Sequence, residues 1–459
     1  MNEYGSIRSR VLLEVAKAAW HGELADSGRT LAERLSNEFE GTLSRRAVVN
    51  EIRVAMGLRP LQPHETGDDF DPETLIGVSH PIVIAHPEDC VNCPPGACGE
   101  SCPTGAIIRS TAGVAELDES RCLSEGLCLS WCPEGAIAAK TEIVTLIELL
   151  KSGAPVFASV APAFAGQFGP QATLGRLQRA LRMLGFTDMV ETALAADMLT
   201  LKEALEFAEH VHHEGDFFIT SCCCPAWIKL LQSRYPQLLS HVSGSVSPMV
   251  ASGRLLKKQV PEAKVVFIGP CLAKKGEAAM PDVADAVDLV LTFKELETIF
   301  QAVGIDFAAL EEDSDGTAST CGRIYARSGG VSEAVAETIR HLMPEKAALL
   351  SSHMADGIPE CIQLLQSLPD DPHPATFIEG MACKGGCVGG PARLISVEAG
   401  REAVNQLAAQ ALSTTPAQNR HLYADLLALQ HAEDWRSVKG ESVVARLLDR
   451  DLSVPSAGK

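Results

Sequence analysis

The sequence predicts an α/β domain built on parallel strands, preceded by a small cysteine-dense α+β domain and an N-terminal helical segment. Three observations carry this. Apolar runs alternate with helical stretches beyond about residue 140, the pattern of strands joined by crossover helices. Seven cysteines crowd between Cys90 and Cys132, in two runs that each end in Cys-Pro. Apolar residues near the N-terminus recur at helical spacing.

Ile7, Val11, Leu12, Val15 and Ala18 predict a first helix, followed by helices near Leu31–Phe39 and Arg45–Met56. Residues 59–80 hold several prolines and the acidic stretch Gly67–Pro72, the composition of a linker. Strands are predicted at Pro155–Ala161, Asp216–Thr220, Lys264–Gly269, Asp288–Thr292 and Thr376–Glu379. Helices are predicted at Leu174–Leu184, Leu201–His212, Trp227–Ser233, Val250–Lys258, Lys294–Val303 and Ser332–Leu342. The resulting divisions are a helical segment with linker over 1–75, a cysteine-dense domain over 80–140, a catalytic α/β domain over 141–400 and a helical extension over 401–459. The tail Ser453–Lys459 is expected to fray.

The chain has 459 residues, 46% of them hydrophobic, enough for more than one core. A net charge of −20 argues against nucleic acid and anionic membrane surfaces as partners. No stretch approaches the roughly 20 apolar residues that span a bilayer. The first residues lack an apolar signal core and a twin-arginine signal, so a cytoplasmic location is expected. In that reducing compartment, clustered cysteines read as metal ligands or redox groups.

The first quartet is Cys90, Cys93, Cys98 and Cys102-Pro103; the second run is Cys122, Cys128 and Cys132-Pro133. In two-cluster ferredoxins the cysteine before proline reaches across to the other cluster. One 4Fe–4S cluster therefore takes Cys90, Cys93, Cys98 and Cys132, and the other takes Cys102, Cys122 and Cys128. The usual spacing puts the last ligand of the second cluster at Glu125. Three readings stand open there: a carboxylate ligand, a 3Fe–4S cluster, or an iron bound by water. A carboxylate is harder than a thiolate, so the cluster's potential would be altered. The bland alternative makes Glu125 a surface residue.

Three further cysteine groups follow: Thr220–Trp227 with Cys222-Cys223-Cys224, Gly269–Glu277 with Cys271, and Glu379–Pro391 with Cys383 and Cys387. Adjacent side chains leave the backbone in different directions, so three cysteines in a row point to sulfur chemistry and not to packing. These three motifs resemble the signatures of the FeFe-hydrogenases, over roughly residues 80–430. Ala161-Pro162, Ala196-Asp197, Ser247-Pro248 and Ser328–Ala334 belong to the same likeness. The triple cysteine and Gly269-Pro-Cys resemble the divergent group B branch.

The resemblance implies an H-cluster: a 4Fe–4S cube joined through a cysteine sulfur to a diiron unit with CO, cyanide and a bridging dithiolate. By motif position its ligands are Cys224, Cys271, Cys383 and Cys387, the last bridging. The thiol just before the ligand is the family's proton donor and acceptor, which selects Cys223; aligned from the other side of the motif, Cys222 is the shuttle and Cys223 the ligand. Glu203, Glu206 and Ser243 match the family's proton path, with His210 where the path normally meets an arginine. On spacing alone, a solvated helix face is the better reading of Glu203 and Glu206; the motif context favours proton transport. Lys274 matches the lysine that bonds a cyanide, with Lys275 as competitor. Ala161 and Pro162 match the turn facing the other cyanide, and Met381 the methionine beside the diiron unit. Gly269 replaces the usual methionine, which is expected to leave space there. Cys321 and Cys361 read as buried packing residues.

The resemblance implies reversible interconversion of H2 with protons and electrons, exchanged with ferredoxin or a similar soluble carrier. It also implies maturation proteins that install the H-cluster. Two alternatives come with it: a non-enzymatic hydrogenase-like protein of iron–sulfur assembly, and an H2 sensor.

Overall fold

The computed structural model describes residues 3–61, 65, 80–86, 93, 102–111, 114–132, 135–313, 316–368, 375–429 and 435–452. Cys90, Cys98, Pro133, the acidic stretch 67–72 and the tail 453–459 lie outside the described residues. The chain divides into two compact units: Met1–Gly153 with Leu291–Asp306, and Ala154–Val290 with Phe307–Lys459.

In the first unit, helices span Glu3–His21, Leu24–Glu38 and Arg45–Ala55, close to their predicted positions. Strand β1 (Ile82–Ile84) is followed by β2 (Ile107–Arg109), β3 (Ala115–Leu117) and β4 (Ile137–Ala139). β1 pairs antiparallel with β4, and β2 with β3. The helices share a core with these strands, since Val54 packs with Val83, Ala85 and Ala138. A buried charge ties them further. Glu51 accepts from both Arg8 and His86, and Arg8 also donates to the carbonyls of Gly135 and Ile137 at 2.8 and 3.0 Å. Burial pushes the Glu51 carboxyl up, but Arg8 and His86 outweigh it and hold the group near 2. Helix Phe293–Val303 also belongs to this unit. Thr292 and Glu295 form its capping box, and Gly304 ends it in the left-handed region.

The second unit contains strands β5 (Val156–Val160), β6 (Asp188–Glu191), β7 (Phe218–Ile219), β8 (Lys264–Gly269), β9 (Leu289–Thr292), β10 (Ser352–Asp356) and β11 (Phe377–Met381). The last two residues of β9 pass into the first unit. One sheet has the order β6-β5-β8-β9 and the other β10-β11-β7. The pairs β5–β6, β5–β8, β10–β11 and β11–β7 are all parallel. The five predicted strands form. β6 and β10 escape the sequence reading because they are short, polar edge strands, Asp-Met-Val-Glu and Ser-His-Met-Ala-Asp.

The long helix Thr192–His210 starts nine residues before its prediction. It is buried on nearly every face and takes polar residues such as Asp197 and Thr200 inside, so no amphipathic period marks it. This burial decides the environment of Lys202, Glu203 and Glu206. Helices Val397–Ala409, Arg420–Ala428 and Val443–Leu448 complete the unit. Among the described residues, no helix is long and apolar enough to cross a membrane.

Candidate active site

The three cysteine motifs of the second unit follow strand ends, where open α/β sheets place their sites. β7 leads into the first. Thr220 N–H bonds the Ile378 carbonyl of β11 at 2.8 Å, and Ser221 turns into the left-handed region at φ 72°. Cys224 N–H closes the turn on Ser221 O at 3.0 Å, and Pro225 opens helix Pro225–Arg234. β8 leads into Cys271 and helix Ala273–Ala278. β11 leads into the loop of Cys383 and Cys387.

Close backbone approaches lock the motifs together. A Cβ on Gly390 would stand 2.6 Å from Pro270 O, and one on Gly386 would stand 2.5 Å from Ser328 N. Gly386 also has φ +82°, so two reasons demand glycine there. A Cβ on Gly380 would meet three ring atoms of Trp227 at 2.5–2.6 Å. The Trp227 indole thus lies on β11 while its N–H bonds Thr220 O at 3.1 Å. Asp356, at the end of β10, accepts from Ser328 Oγ at 2.6 Å and Gly385 N at 2.7 Å, anchoring the third loop.

This scaffold brings Cys224, Cys271 and Cys387 into one another's electrostatic field, with Lys274 among them. Burial raises all three thiols, Cys271 to about 11 and Cys387 to about 12. Backbone N–H groups of Ala382, Trp227 and Ala226 point at Cys224, and those of Lys274 and Ala273 at Cys271. Such donors favour thiolate and tune iron–sulfur clusters. Cys383 lies on the same loop, its carbonyl taking Gly386 N–H at 2.9 Å. Among the described residues, no three His, Cys, Asp or Glu side chains close on a single metal ion. A cube takes one thiolate per iron, so its ligands need not converge on one point. The donor set and the glycine cradle therefore fit a cluster held by Cys224, Cys271, Cys383 and Cys387.

The two remaining thiols of the first motif part company. Cys223 feels Cys387, Cys224, Glu203 and Lys274, which puts it on the ligand side. Cys222 instead donates to Glu203 Oε1 at 3.1 Å, and Thr220 Oγ1 donates to Oε2 of the same carboxylate at 2.5 Å. Burial raises both thiols well above their ordinary range. Glu203 is fully buried, and burial lifts its carboxyl to about 7 against the hydrogen bonds from Thr220 and Cys222.

Glu206 is buried too, accepting from Ser243 Oγ at 2.6 Å and Lys202 Nζ at 2.9 Å. The solvated-face alternative for these glutamates is thereby overturned. His210 sits one turn on, but its Nδ1 donates to the Glu206 backbone carbonyl at 2.9 Å and not to the carboxylate. Lys274 is buried and bonds Glu277 Oε2 at 2.6 Å, whereas Lys275 is only half-buried. Met381 is buried in the cluster that includes Cys223, Phe218 and Tyr325. Ala161 follows β5 and lies beside Gly269, and Pro162 begins the turn after it. The expected space at Gly269 is absent. A Cβ there would meet the Phe267 ring at 2.8 Å, so Phe267 fills the volume. Cys321 and Cys361 are buried, as packing residues are.

In the first unit, Cys102, Cys122, Cys128 and Glu125 stand together. The charges of the other three raise the Cys128 thiol, after burial as the leading cause. Glu125 is buried and its carboxyl is raised by burial, which removes the surface-residue alternative. Ser124 and Gly126 take left-handed φ values of 57° and 80°, and this bends the loop around Glu125. Cys93 and Cys132 are buried in the same unit. Sequence reasoning missed Lys202, Phe267 and Asp356; only Lys202, one helical turn before Glu206, carried a signal.

The fold and the thiol-lined centre define an iron–sulfur protein of the hydrogenase type. The family model "Iron only hydrogenase large subunit, C-terminal domain" matches residues 154–391, and the chain belongs to that family. It is 30% identical to the NADP-reducing hydrogenase subunit HndD of Solidesulfovibrio fructosivorans over 60% of this chain and 56% of that one. The chain thus spans about half the length of that relative. It is also 30% identical to the periplasmic [Fe] hydrogenase large subunit of Nitratidesulfovibrio vulgaris, over 74% of this chain and 91% of that one. The cytosolic Fe–S cluster assembly factor NAR1 of Meyerozyma guilliermondii is 32% identical, over 26% of this chain and 25% of that one. A solved [FeFe]-hydrogenase HydA1 of Chlamydomonas reinhardtii shares the fold, with TM-score 0.55 and 21% identity, over 68% of this chain and 98% of that one.

Proposed function

We propose that this protein is an FeFe-hydrogenase, interconverting H2 with two protons and two electrons and exchanging the electrons with a soluble carrier such as ferredoxin. The observation that carries the reading is the divided cysteine run. One thiol, Cys223, stands among the ligand thiols and Lys274, and its neighbour Cys222 bonds a buried acid, Glu203. A site that only stored or passed on a cluster would need no thiol beyond its ligands and no buried acid beside it.

Cys224, Cys271, Cys383 and Cys387 would hold the H-cluster, which supplies when bound an iron position and a basic amine for heterolytic H2 chemistry. Cys223 gives and takes the proton at its Sγ, as a thiol beside a metal centre can. Glu203, Ser243 and Glu206 are the buried groups that pass it on. Glu203, with its carboxyl near 7, is half-protonated at neutral pH and so can both give and accept. Lys274, a buried ammonium bonded to Glu277, would supply the charge-assisted donor that an anionic cyanide needs. Ala161, Pro162 and Met381 would line the site, two of them buried and Pro162 half-buried. Cys93, Cys132 and their undescribed partners Cys90 and Cys98, together with Cys102, Cys122, Cys128 and Glu125, would hold the accessory clusters that serve the carrier.

The similarity to assembly factors supports a second reading, a non-enzymatic role in cluster assembly. Infrared spectroscopy of protein matured anaerobically separates the two. CO and cyanide stretches with H2 turnover are expected, and their absence sinks the hydrogenase reading. Cys223→Ala should abolish turnover while the bands persist; retained turnover moves the shuttle to Cys222.

A further inference from the structure

We propose that Lys202 and Asp449 form the solvent end of the proton route, which makes the segment following helix Val443–Leu448 a working part of the site. The proposal rests on the hydrogenase reading. Glu206 is buried, so its protons must travel through neighbouring donors and acceptors. On one oxygen it receives Ser243 Oγ at 2.6 Å, and on the other Lys202 Nζ at 2.9 Å. Lys202 is itself only 1% exposed. Its ammonium has three N–H groups, and three acceptors meet them: Glu206, Ser245 Oγ at 2.8 Å and Asp449 Oδ1 at 3.0 Å. Asp449 is 53% exposed and reaches water. The line Ser243–Glu206–Lys202–Asp449 is therefore continuous from the buried acid to solvent. His210 offers no equivalent contact, because its Nδ1 bonds the Glu206 backbone carbonyl and not the carboxylate.

The segment is built into place. Ser245 and Asp449 form an antiparallel bridge, Val246 N–H bonds Leu448 O at 2.9 Å, and Arg450 N–H bonds Gly244 O at 2.8 Å. Arg450 also donates to Asp282 at 2.8 Å. The same stretch carries Ser243, whose N–H bonds Ile219 O of β7 at 2.9 Å. One short ladder thus holds the inner hydroxyl and the outer acid in register. For inward transfer, the Asp449 carboxylate first takes a proton from a buffer acid. It hands that proton to Lys202 as the Lys202 ammonium gives one of its own to the Glu206 carboxylate, so no free amine is left. One proton moves per pass and Lys202 ends as it began; H2 oxidation runs the sequence backwards.

The test uses the cluster-loaded full chain. Asp449→Asn keeps an acceptor for Lys202 and removes the exchangeable acid. Turnover should fall at least about tenfold with CO and cyanide bands unchanged, and Asp449→Glu or added acetate should recover it. In the cluster-free protein, Lys202→Met should produce a carboxylic-acid C=O infrared band at neutral pH that disappears on adding Glu206→Gln. Full turnover in Asp449→Asn overturns the proposal, as does a loss that neither Asp449→Glu nor acetate restores. Loss in His210→Gln with normal Asp449→Asn places the exit at His210 instead. A wild type without turnover or bands refutes the hydrogenase reading, and the exit with it.

Discussion

Glu203 offers the sharpest physical test in the molecule, because its environment sets both stability and proton transfer. The perturbation is Glu203→Gln, which keeps an acceptor for Thr220 and can never ionise. Burial lifts the wild-type carboxyl from 4.5 in an open chain to about 7 in the fold. Below pH 4.5 both states are protonated and the site costs nothing. As pH rises, the unfolded chain releases its proton first, so the fold loses stability until the native carboxyl also ionises near pH 7. Between those limits the loss is about 3 kcal/mol, at about 1.4 kcal/mol per pH unit. From pH 5 to pH 8 the wild type should therefore lose about 2–3 kcal/mol relative to the variant. The assay is urea unfolding of cluster-free protein at both pH values, followed by tryptophan emission. Other titrating groups are common to both proteins and cancel in the difference. Parallel stability–pH curves would refute the reasoning and show Glu203 titrating as a solvated group.

Two further outcomes follow from packing and from charge. Gly380→Ala drives a methyl group into the Trp227 indole and should cost about 1–3 kcal/mol, read as a lowered Tm of the cluster-free protein. Iron retained after reconstitution should fall with it, since Trp227 ties the first cysteine motif to the third; an unchanged Tm would show that the indole can move aside. Glu51 has the opposite sign to Glu203. Its carboxyl is held near 2, so its stabilisation is full above about pH 4.5 and is lost as pH falls towards 2. Amide exchange in helix Arg45–Ala55 should accelerate over that acid window in the wild type, while Glu51→Gln should be destabilised already at neutral pH because Arg8 loses its partner.

The proposed cluster ligands were legible from the chain alone because they lie in short cysteine motifs. The glycines around Cys383 and Cys387 likewise mark a backbone that passes close to other groups. The central strands β5 and β8, and the buried edge strand β9, were visible as apolar runs, since buried strands carry few polar residues. The edge strands β6 and β10 were not, because exposure on one side admits charge and breaks the run. The helix Thr192–His210, buried on nearly every face, was half-missed for the reverse reason: it has no apolar stripe to read.

What the sequence determined by itself is the chemistry, namely thiols at cluster spacing, a thiol beside a ligand, and acids one helical turn apart. What only tertiary structure decided is the environment that gives those groups their roles. Burial of a whole helix turned Glu203 and Glu206 from a plausible surface into buried acids. The turn after Ser221 gives adjacent thiols different neighbours: Cys222 donates to Glu203, while Cys223 lies in the field of Cys224, Cys387 and Lys274. Phe267 fills the volume that Gly269 seemed to leave, and Asp449 reaches Lys202 from 247 residues away in the chain. Electrostatics and packing depend on what stands within a few ångströms, and residues distant in sequence supply most of those neighbours.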